Sequence, residues 1–272
     1  MPPVSPGLRA AEAPDLQAAE AAVVAINKKN PTFITARYAG FFFAKKIKMT
    51  PTVYYCYDAY CGWCYGFSPV IRRIFEEYRE VLAFEVLSGG MILPEKPQPI
   101  GVIAEYIQQS YKTVEERTGI RFGEDWLWHI FHPDESDWYP NSEKPAIALC
   151  VFKDYHPDLA IVFAGELQYA LHYEGRDLCD DEAYRHLLEK YQIPEKEFYG
   201  KLRHPAYKER AYDEFALVRQ LKVTGFPTVF LQVSESKFYL LTRGYSDYAT
   251  LKRGIVEAFE KEEKGRNDPA LQ

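Results

Sequence analysis

Two cysteines separated by two residues are the strongest chemical signal in this chain of 272 residues. Cys61 and Cys64 enclose Gly62 and Trp63 in the motif CGWC, where a strand pattern ends and a helical pattern begins. A Cys-x-x-Cys pair either binds a metal or cycles between a dithiol and a disulfide. Zinc needs four ligands, and no second Cys-x-x-Cys supplies the other two. We therefore predict a redox pair and no metal site.

The position of each cysteine predicts its role. At the start of a helix, unpaired backbone N–H groups and the positive end of the helix dipole stabilise a thiolate, the reactive form of cysteine. Cys61 is therefore the predicted nucleophile. Cys64 lies one helical turn further in, close enough to attack a mixed disulfide on Cys61 and release the partner. Gly62 lets the turn close, and Trp63 forms an aromatic lip beside the sulfur.

The elements around the pair predict a strand, a helix and a second strand. Residues 52–57 (TVYYCY) are β-branched and aromatic, which indicates a short buried strand. Apolar residues then recur at a helical period, at Val70, Ile71, Ile74, Phe75, Tyr78, Val81 and Leu82. Residues 84–87 (FEVL) predict a second strand, which the turn sequence SGGM follows. This unit predicts a parallel strand pair joined by a right-handed crossover.

The middle of the chain predicts only helices, and strands return near its end. Apolar patterns of helical period begin near residues 100, 145, 159, 180, 198 and 211. Residues 228–233 (TVFLQV) and 238–242 (FYLLT) predict a hairpin, and residues 247–262 predict a last amphipathic helix. The fold class is therefore α/β, with a four-stranded mixed sheet and a large all-helical insertion.

The predicted boundaries divide the chain into three parts. Residues 50–95 and 222–264 form the domain that carries the sheet, and residues 96–221 form the helical insertion. Residues 1–48 are rich in Ala and Pro and predict a loose extension, or a segment upstream of a start at Met49. Their apolar patch YAGFFFA is too short for a membrane span. Its lysines follow it, whereas a secretory signal carries its positive charge first.

Composition limits the classes of binding partner and the cellular compartment that the sequence predicts. The formal net charge of −6 argues against nucleic acid as a partner, because phosphate binding needs a basic face. No run of residues approaches the length of a transmembrane helix, so no membrane partner is predicted. Cys56, Cys150 and Cys179 stand among apolar neighbours and are predicted to be free core thiols. Free thiols and the missing secretory pattern together predict a cytoplasmic protein.

A second motif lies far along the chain. Residues 223–228 (VTGFPT) come just before the third predicted strand. A proline there is by itself only a strand-opening feature. In thioredoxin-like proteins, however, a cis-proline loop lies beside the redox pair, and Pro227 resembles that proline. Phe226 would then offer backbone groups to an extended substrate peptide. Trp63, Phe226 and Pro227 are accordingly the predicted substrate-binding residues.

Together these features resemble the DsbA family of thioredoxin-fold proteins. The resemblance rests on strand–CGWC–helix–strand, a helical insertion and GFPT opening a hairpin, and it covers about residues 52–262. The stretches YDAYCGWCYGFSP and VLSGGM are most similar to its FrnE-like branch of predicted protein-disulfide isomerases. The family implies exchange with protein or peptide thiols and disulfides, with Cys61 attacking and Cys64 resolving. It implies no cofactor beyond the redox-active disulfide, and a thiol donor such as glutathione or a thioredoxin.

Other readings of the same residues stay open at this point. Glutathione-dependent isomerases or transferases of the kappa and hydroxychromene-carboxylate type share the fold, but usually carry Ser in place of Cys61 and lack a resolving cysteine. A peptide-binding module without activity would not need the buried thiol of Cys64. Asp58 is a candidate tuner of the pair or a simple helix cap. Glu85 could accept a proton from Cys64, although an exposed glutamate is the default.

Overall fold

A computed structural model describes residues 49–266, with side chains to residue 264. The predicted extension over residues 1–48 lies outside the described residues. The elements in chain order are β1 (Thr52–Tyr57), α1 (Gly62–Tyr78), β2 (Ala83–Ser88), α2 (Gly101–Thr118), α3 (Glu124–Phe131), α4 (Glu143–Tyr155), α5 (Ala160–His172), α6 (Arg185–Lys190), α7 (Glu195–Leu202), α8 (Pro205–Gln220), β3 (Thr228–Ser234), β4 (Lys237–Arg243) and α9 (Tyr248–Arg266). Two 3₁₀ turns, Pro157–Leu159 and Asp181–Tyr184, lead into α5 and α6.

The four strands form one mixed sheet in the order β2-β1-β3-β4. β1 runs parallel to β2, with Thr52 opposite Ala83, and antiparallel to β3, with Cys56 opposite Thr228. β3 and β4 form the predicted hairpin. All the helices from α2 to α8 fall between β2 and β3. The structure therefore confirms a mixed α/β sheet with a large helical insertion, while the domain boundaries stay a prediction.

Strand β1 lies between two apolar cores. Because side chains alternate along a strand, Val53, Tyr55 and Tyr57 share one face and join the large core formed with α1 and the inserted helices. Cys56 points to the opposite face, into a small core with Leu87, Val218, Leu221, Phe230 and Phe238. Burial on both faces explains why the strand is apolar or aromatic at nearly every position.

Helix α1 begins immediately after the loop that follows β1, and it ends earlier than the apolar pattern predicts. Its last residue is Tyr78, and Val81 lies beyond it with 65% of its surface exposed. The pattern extends too far because Leu82, which is buried, mimics another helical turn.

Pro69 lies inside the helix and lacks an N–H. The Tyr65 carbonyl, which a backbone N–H at position 69 would otherwise reach, instead accepts a hydrogen bond from the Ser68 hydroxyl at 2.8 Å.

Two inserted helices differ from the sequence-based predictions. Helix α3 has no predicted counterpart, because its eight residues carry aromatic side chains on both its buried and its exposed sides. Trp126 is buried, whereas Trp128 is 42% exposed. Helix α8 begins at Pro205, about six residues before the predicted start, with His204 as its cap. No helix among the described residues is both long enough and apolar enough to span a bilayer.

A largely buried ion pair joins the inserted helices to the edge of the sheet. The Lys153 ammonium of α4 lies 2.6 Å from Glu214 Oε1 of α8 and 2.6 Å from the Val86 carbonyl of β2. Glu214 Oε2 accepts a hydrogen bond from the Ser88 N–H at 2.9 Å. Burial alone would lower the pKa of Lys153, but the neighbouring Glu214 carboxylate raises it above its ordinary value. Each charge therefore depends on the other.

Replacing Lys153 with Met tests this dependence. We expect the free energy of unfolding to fall by about 3–5 kcal/mol, because the Glu214 carboxylate would stay buried without its partner. Urea denaturation at neutral pH measures the change. The matched control is Lys190→Met, which breaks an ion pair with Glu166 at a lysine that is 52% exposed. In this control variant the free energy of unfolding should fall by about 1 kcal/mol or less. Equal losses in the two variants would contradict the role of burial.

Candidate active site

The two cysteines of the CGWC motif lie at the start of α1, beside the carboxyl end of β1. Cys61 is the N-cap residue, and its sulfur accepts a hydrogen bond from the Cys64 backbone N–H at 3.3 Å. Cys61 keeps 7% of its surface exposed, whereas Cys64 is fully buried. Burial and the contact with Cys61 raise the pKa of Cys64 well above its ordinary value, although a backbone hydrogen bond with Asp58 opposes this. The pair is therefore asymmetric, because Cys61 keeps a small exposed fraction at the helix start and Cys64 is a fully buried neutral thiol.

Phe226 and Pro227 approach the pair from the loop before β3. The peptide bond between them is cis. The Phe226 carbonyl oxygen lies 3.7 Å from the Cys61 sulfur, which can donate to it as a thiol. Pro227 is buried and Phe226 is half-buried. Gly89, just after β2, makes room for the Phe226 ring, because a Cβ at that position would lie 2.0 Å from the tip of the ring.

Aromatic side chains flank the dipeptide between the cysteines. Trp63 is half-buried, and its ring lies 6.3 Å from that of Tyr245, which follows β4. On the other side, a Cβ placed on Gly62 would lie 3.3 Å from the ring of Phe122. The structure thus brings Cys61, the buried Cys64, Phe226 and Pro227 to one place, with Trp63 beside them. Contact of Trp63 with a substrate stays a prediction.

Asp58 lies in the loop between β1 and α1, and its carboxylate is buried. The interpretation of this residue as the helix cap is wrong. Cys61 occupies the cap position, because it directly precedes α1 and its own side chain accepts the free N–H. Asp58 Oδ1 accepts from the Tyr60 N–H at 3.0 Å and from the Ser142 hydroxyl at 2.9 Å, and Oδ2 accepts from the Met91 N–H at 2.7 Å. Burial raises the pKa of Asp58, although these hydrogen bonds lower it in part.

Two polar side chains of α5 hold the same loop by its carbonyl groups. Gln168 Nε2 donates to the Asp58 carbonyl, and His172 Nε2 donates to the Ala59 carbonyl, both at 3.2 Å. Burial lowers the pKa of His172 to about 3, so its ring stays neutral with the hydrogen on Nε2. Sequence reasoning missed both residues. The sequence feature that could have revealed them is their spacing of four residues, which places two polar groups on one face of an apolar helix.

The structure also shows where Glu85 and the other three cysteines lie. Glu85 is exposed on β2, and the buried acid near the end of that strand is Glu214. Cys56 and Cys150 are buried thiols, as predicted. Cys179 is only half-buried, because it lies in a surface turn where its sulfur is 3.4 Å from the Tyr60 hydroxyl. Within residues 49–266, no three His, Cys, Asp or Glu side chains lie close enough together to hold a metal ion.

Known proteins share this fold and this placement of elements. Residues 52–255 match the model of the DSBA-like thioredoxin domain. A candidate protein disulfide isomerase from Nitrosomonas europaea is 23% identical, with a TM-score of 0.68 over 78% of this chain and 99% of that one. The cytosolic disulfide reductase DsbM from Pseudomonas aeruginosa is 22% identical, with a TM-score of 0.63 over 77% and 98%.

Another structural match, of lower sequence identity, is named for a different reaction. The structure of a 2-hydroxychromene-2-carboxylate isomerase is 14% identical, with a TM-score of 0.52 over 79% of this chain and 97% of that one. Comparison with curated protein sequences finds no significant match. At identities this low, the structural matches show a common fold and leave the chemistry to the residues of the site.

Replacing Gly89 with Ala tests the close packing of the Phe226 ring against Gly89, in the residue whose carbonyl lies beside Cys61. The new Cβ would displace the Phe226 ring, so we expect Cys61 to react several-fold faster with iodoacetamide. The free energy of unfolding should fall by about 1–2 kcal/mol, because a half-buried ring can move aside. Mass spectrometry of labelled peptides gives the rate at Cys61. The control is Gly200→Ala, where a Cβ meets nothing within 4 Å. Unchanged labelling in Gly89→Ala would contradict the proposed contact.

The neutral state of His172 predicts how stability depends on pH. The unfolded chain binds a proton at this histidine below about pH 6.5, whereas the folded protein does not until about pH 3. The unfolded state therefore holds more protons in this range, and stability falls as the pH falls. Between pH 6.5 and 5 this group should remove about 1.5–2 kcal/mol. Urea titrations of His172→Gln should lack this loss, while the exposed control His132→Gln should retain it.

Proposed function

The chain belongs to the DSBA-like thioredoxin family, and on this premise we propose that it is a thiol–disulfide oxidoreductase acting on protein disulfides through Cys61 and Cys64. One observation carries the proposal, namely the asymmetry of the pair. The Cys61 sulfur lies at the helix start, where it accepts a hydrogen bond from a backbone N–H, and the residue keeps 7% of its surface exposed. Cys64 is a buried thiol one turn further in. This arrangement separates an attacking group from a resolving group.

The exchange proceeds in two displacements. The Cys61 thiolate attacks a substrate disulfide, and one substrate sulfur leaves as a thiolate while a mixed disulfide forms on Cys61. Cys64 then attacks the Cys61 sulfur and releases the second substrate sulfur. The substrate gains two electrons and two protons, and the pair becomes a disulfide. We further propose that a thiol donor, either glutathione or a thioredoxin, returns the pair to the dithiol.

The loop before β3 supplies the substrate groove in this proposal. The Phe226 carbonyl lies next to the attacking sulfur, and Pro227 has no N–H to compete for a substrate carbonyl. An extended peptide can therefore run along this loop like an added strand. Trp63 lies half-buried at the edge of the pair, where it can cover an apolar side chain of the peptide.

The direction of exchange is proposed to be reduction or isomerisation in the cytoplasm. The buried thiols of Cys56 and Cys150 suit a reducing compartment. The related Pseudomonas aeruginosa protein is named a cytosolic disulfide reductase, and one of its structures was solved with glutathione. The sequence resemblance to the FrnE-like branch supports isomerisation as the second activity. Protein and peptide thiols are accordingly the proposed partners.

Trapping of mixed disulfides tests the proposal. Cys64→Ser should accumulate a disulfide-linked complex with scrambled ribonuclease, because the bond on Cys61 can no longer be resolved. Cys61→Ser should accumulate almost none. Non-reducing electrophoresis and peptide mass mapping identify the linked cysteine. Cys179→Ser is the matched control, since its half-buried thiol lies outside the pair, and it should behave like the unaltered protein.

Two outcomes would contradict this assignment. Equal trapping by the Cys61 and Cys64 variants would show that the two thiols are not functionally distinct. Full turnover by Cys64→Ser would show that the second cysteine is dispensable. The latter result is what a glutathione-dependent isomerase or transferase would give, because such an enzyme needs no resolving thiol.

A further inference from the structure

The loop between β4 and α9 packs against the site, and the exchange steps described above do not use it. Its residue Tyr245 is half-buried, and the ring lies 6.3 Å from that of Trp63, with 43° between the ring planes. The same ring lies 6.3 Å from that of the fully buried Phe67 and nearly perpendicular to it. Phe67 comes one helical turn after Trp63. Tyr245 therefore packs across the first turn of the helix that carries the pair.

The backbone of this loop is bonded to the loop before β3. The Gly244 N–H donates a hydrogen bond to the Pro227 carbonyl at 2.7 Å. The φ of Gly244 is +83°, a conformation that glycine adopts without strain. The Thr242 hydroxyl donates to the Gly244 carbonyl at 3.0 Å. Tyr245 thus directly follows a residue whose position is fixed relative to Pro227.

The other end of the loop is held by α1. The first residue of α9 is Tyr248, and the Arg73 guanidinium carbon lies 3.6 Å from the centre of its ring. The Tyr248 hydroxyl donates a hydrogen bond to Glu77. The four residues 244–247 therefore span two fixed ends. A short loop that is held at both ends keeps the ring between them against Trp63.

The order of the strands places this contact relative to the substrate groove. The ends of β1, β2 and β4 and the start of β3 share one edge of the sheet, since β3 runs antiparallel to both of its neighbours. The Phe226 ring packs on Gly89, just after β2, whereas Tyr245 follows β4 at the other end of this edge. A peptide along the loop before β3 would therefore lie between the Phe226 ring and the rings of Trp63 and Tyr245.

We propose that Tyr245 is a positioning residue, which holds the Trp63 ring at a fixed place beside the loop before β3. This inference rests on the proposed function. A ring that is already held by a neighbour loses fewer conformations when a peptide binds, so binding is tighter. Because Tyr245 is fixed relative to Pro227, the Trp63 ring meets one defined position of an extended peptide, counted from the cysteine under attack. The preferred substrate is thus a disulfide whose cysteine has a large apolar residue at that position.

A set of activated peptide disulfides tests this preference. Each probe is a short peptide of glycine and serine with one cysteine linked to thionitrobenzoate, and leucine occupies each nearby position in turn. The Cys61 thiolate attacks the peptide sulfur, the disulfide bond breaks, and the coloured thionitrobenzoate leaves as a thiolate. Stopped-flow absorbance with excess peptide gives a half-saturating concentration and a limiting rate. The reduced protein carries Cys179→Ser, which removes the half-buried third thiol.

Tyr245→Ala removes the ring that packs on Trp63. With Tyr245 present, leucine at one position should lower the half-saturating concentration about tenfold relative to the peptide without leucine. Tyr245→Ala should lose this preference and keep the limiting rate, because the N–H bond to the Cys61 sulfur comes from Cys64. Tyr245→Phe, which keeps the ring, should retain the preference. Tyr106→Ala is the matched control, since that tyrosine is 68% exposed on α2, and it should also retain the preference.

Other results would overturn the inference. A preference that survives in Tyr245→Ala, or that is lost in Tyr245→Phe as well, would show that the ring does not position Trp63. A fall in the limiting rate alone would show that Tyr245 acts on the cysteines instead. The absence of any preference with Tyr245 present would reject the inference and leave the proposed function intact. The proposed function itself fails if mass spectrometry finds no free peptide, because Cys64 would then not resolve the mixed disulfide.

Discussion

The geometry of the site depends on one buried negative charge in the loop after β1. A carboxylate in the interior must be satisfied by hydrogen bonds, because burial without them is very costly. Asp58 meets this requirement with donors from its own loop, from the segment after β2 and from the residue before α4, namely Tyr60, Met91 and Ser142. Two distant parts of the chain therefore converge on the loop. Cys61 is positioned by the same loop, since its N–H bonds the Asp58 carbonyl at 3.2 Å.

The helical insertion acts on the pair through this loop. Gln168 and His172 of α5 donate hydrogen bonds to two consecutive loop carbonyls, so the insertion holds the backbone of the loop. The ring of His172 stacks on Tyr65 of α1 with 5.1 Å between the ring centroids. The inserted helices are thus part of the support of the site, and they also enclose the apolar face of α1. A fixed loop keeps the Cys61 sulfur at the helix start, where the attacking group needs to be.

Local patterns were sufficient to predict the strands and the cysteine pair, and they fail where partners are distant in sequence. The β-branched run that ends at Tyr57 predicts β1 to the residue, because alternation and propensity agree there. The carboxylate of Asp58 could not be assigned in this way, since its partners include Met91 and Ser142. Gln168 shows the same limit, because nothing in its neighbourhood reveals that it meets a loop 110 positions away. Helix α3 is missed for a different reason, as a short aromatic helix displays no clean apolar stripe.

The order of the strands has a consequence for biosynthesis. β1 pairs with β3, and Cys61 meets the Phe226 carbonyl, a partner 165 positions later in the chain. The helices of the insertion close short loops and form local contacts, so they fold early and quickly. The central strand pair must wait until β3 has left the ribosome. During that interval the nascent chain carries both cysteines without the loop that covers them. The surroundings of the thiols are therefore complete only after β3 has been synthesised.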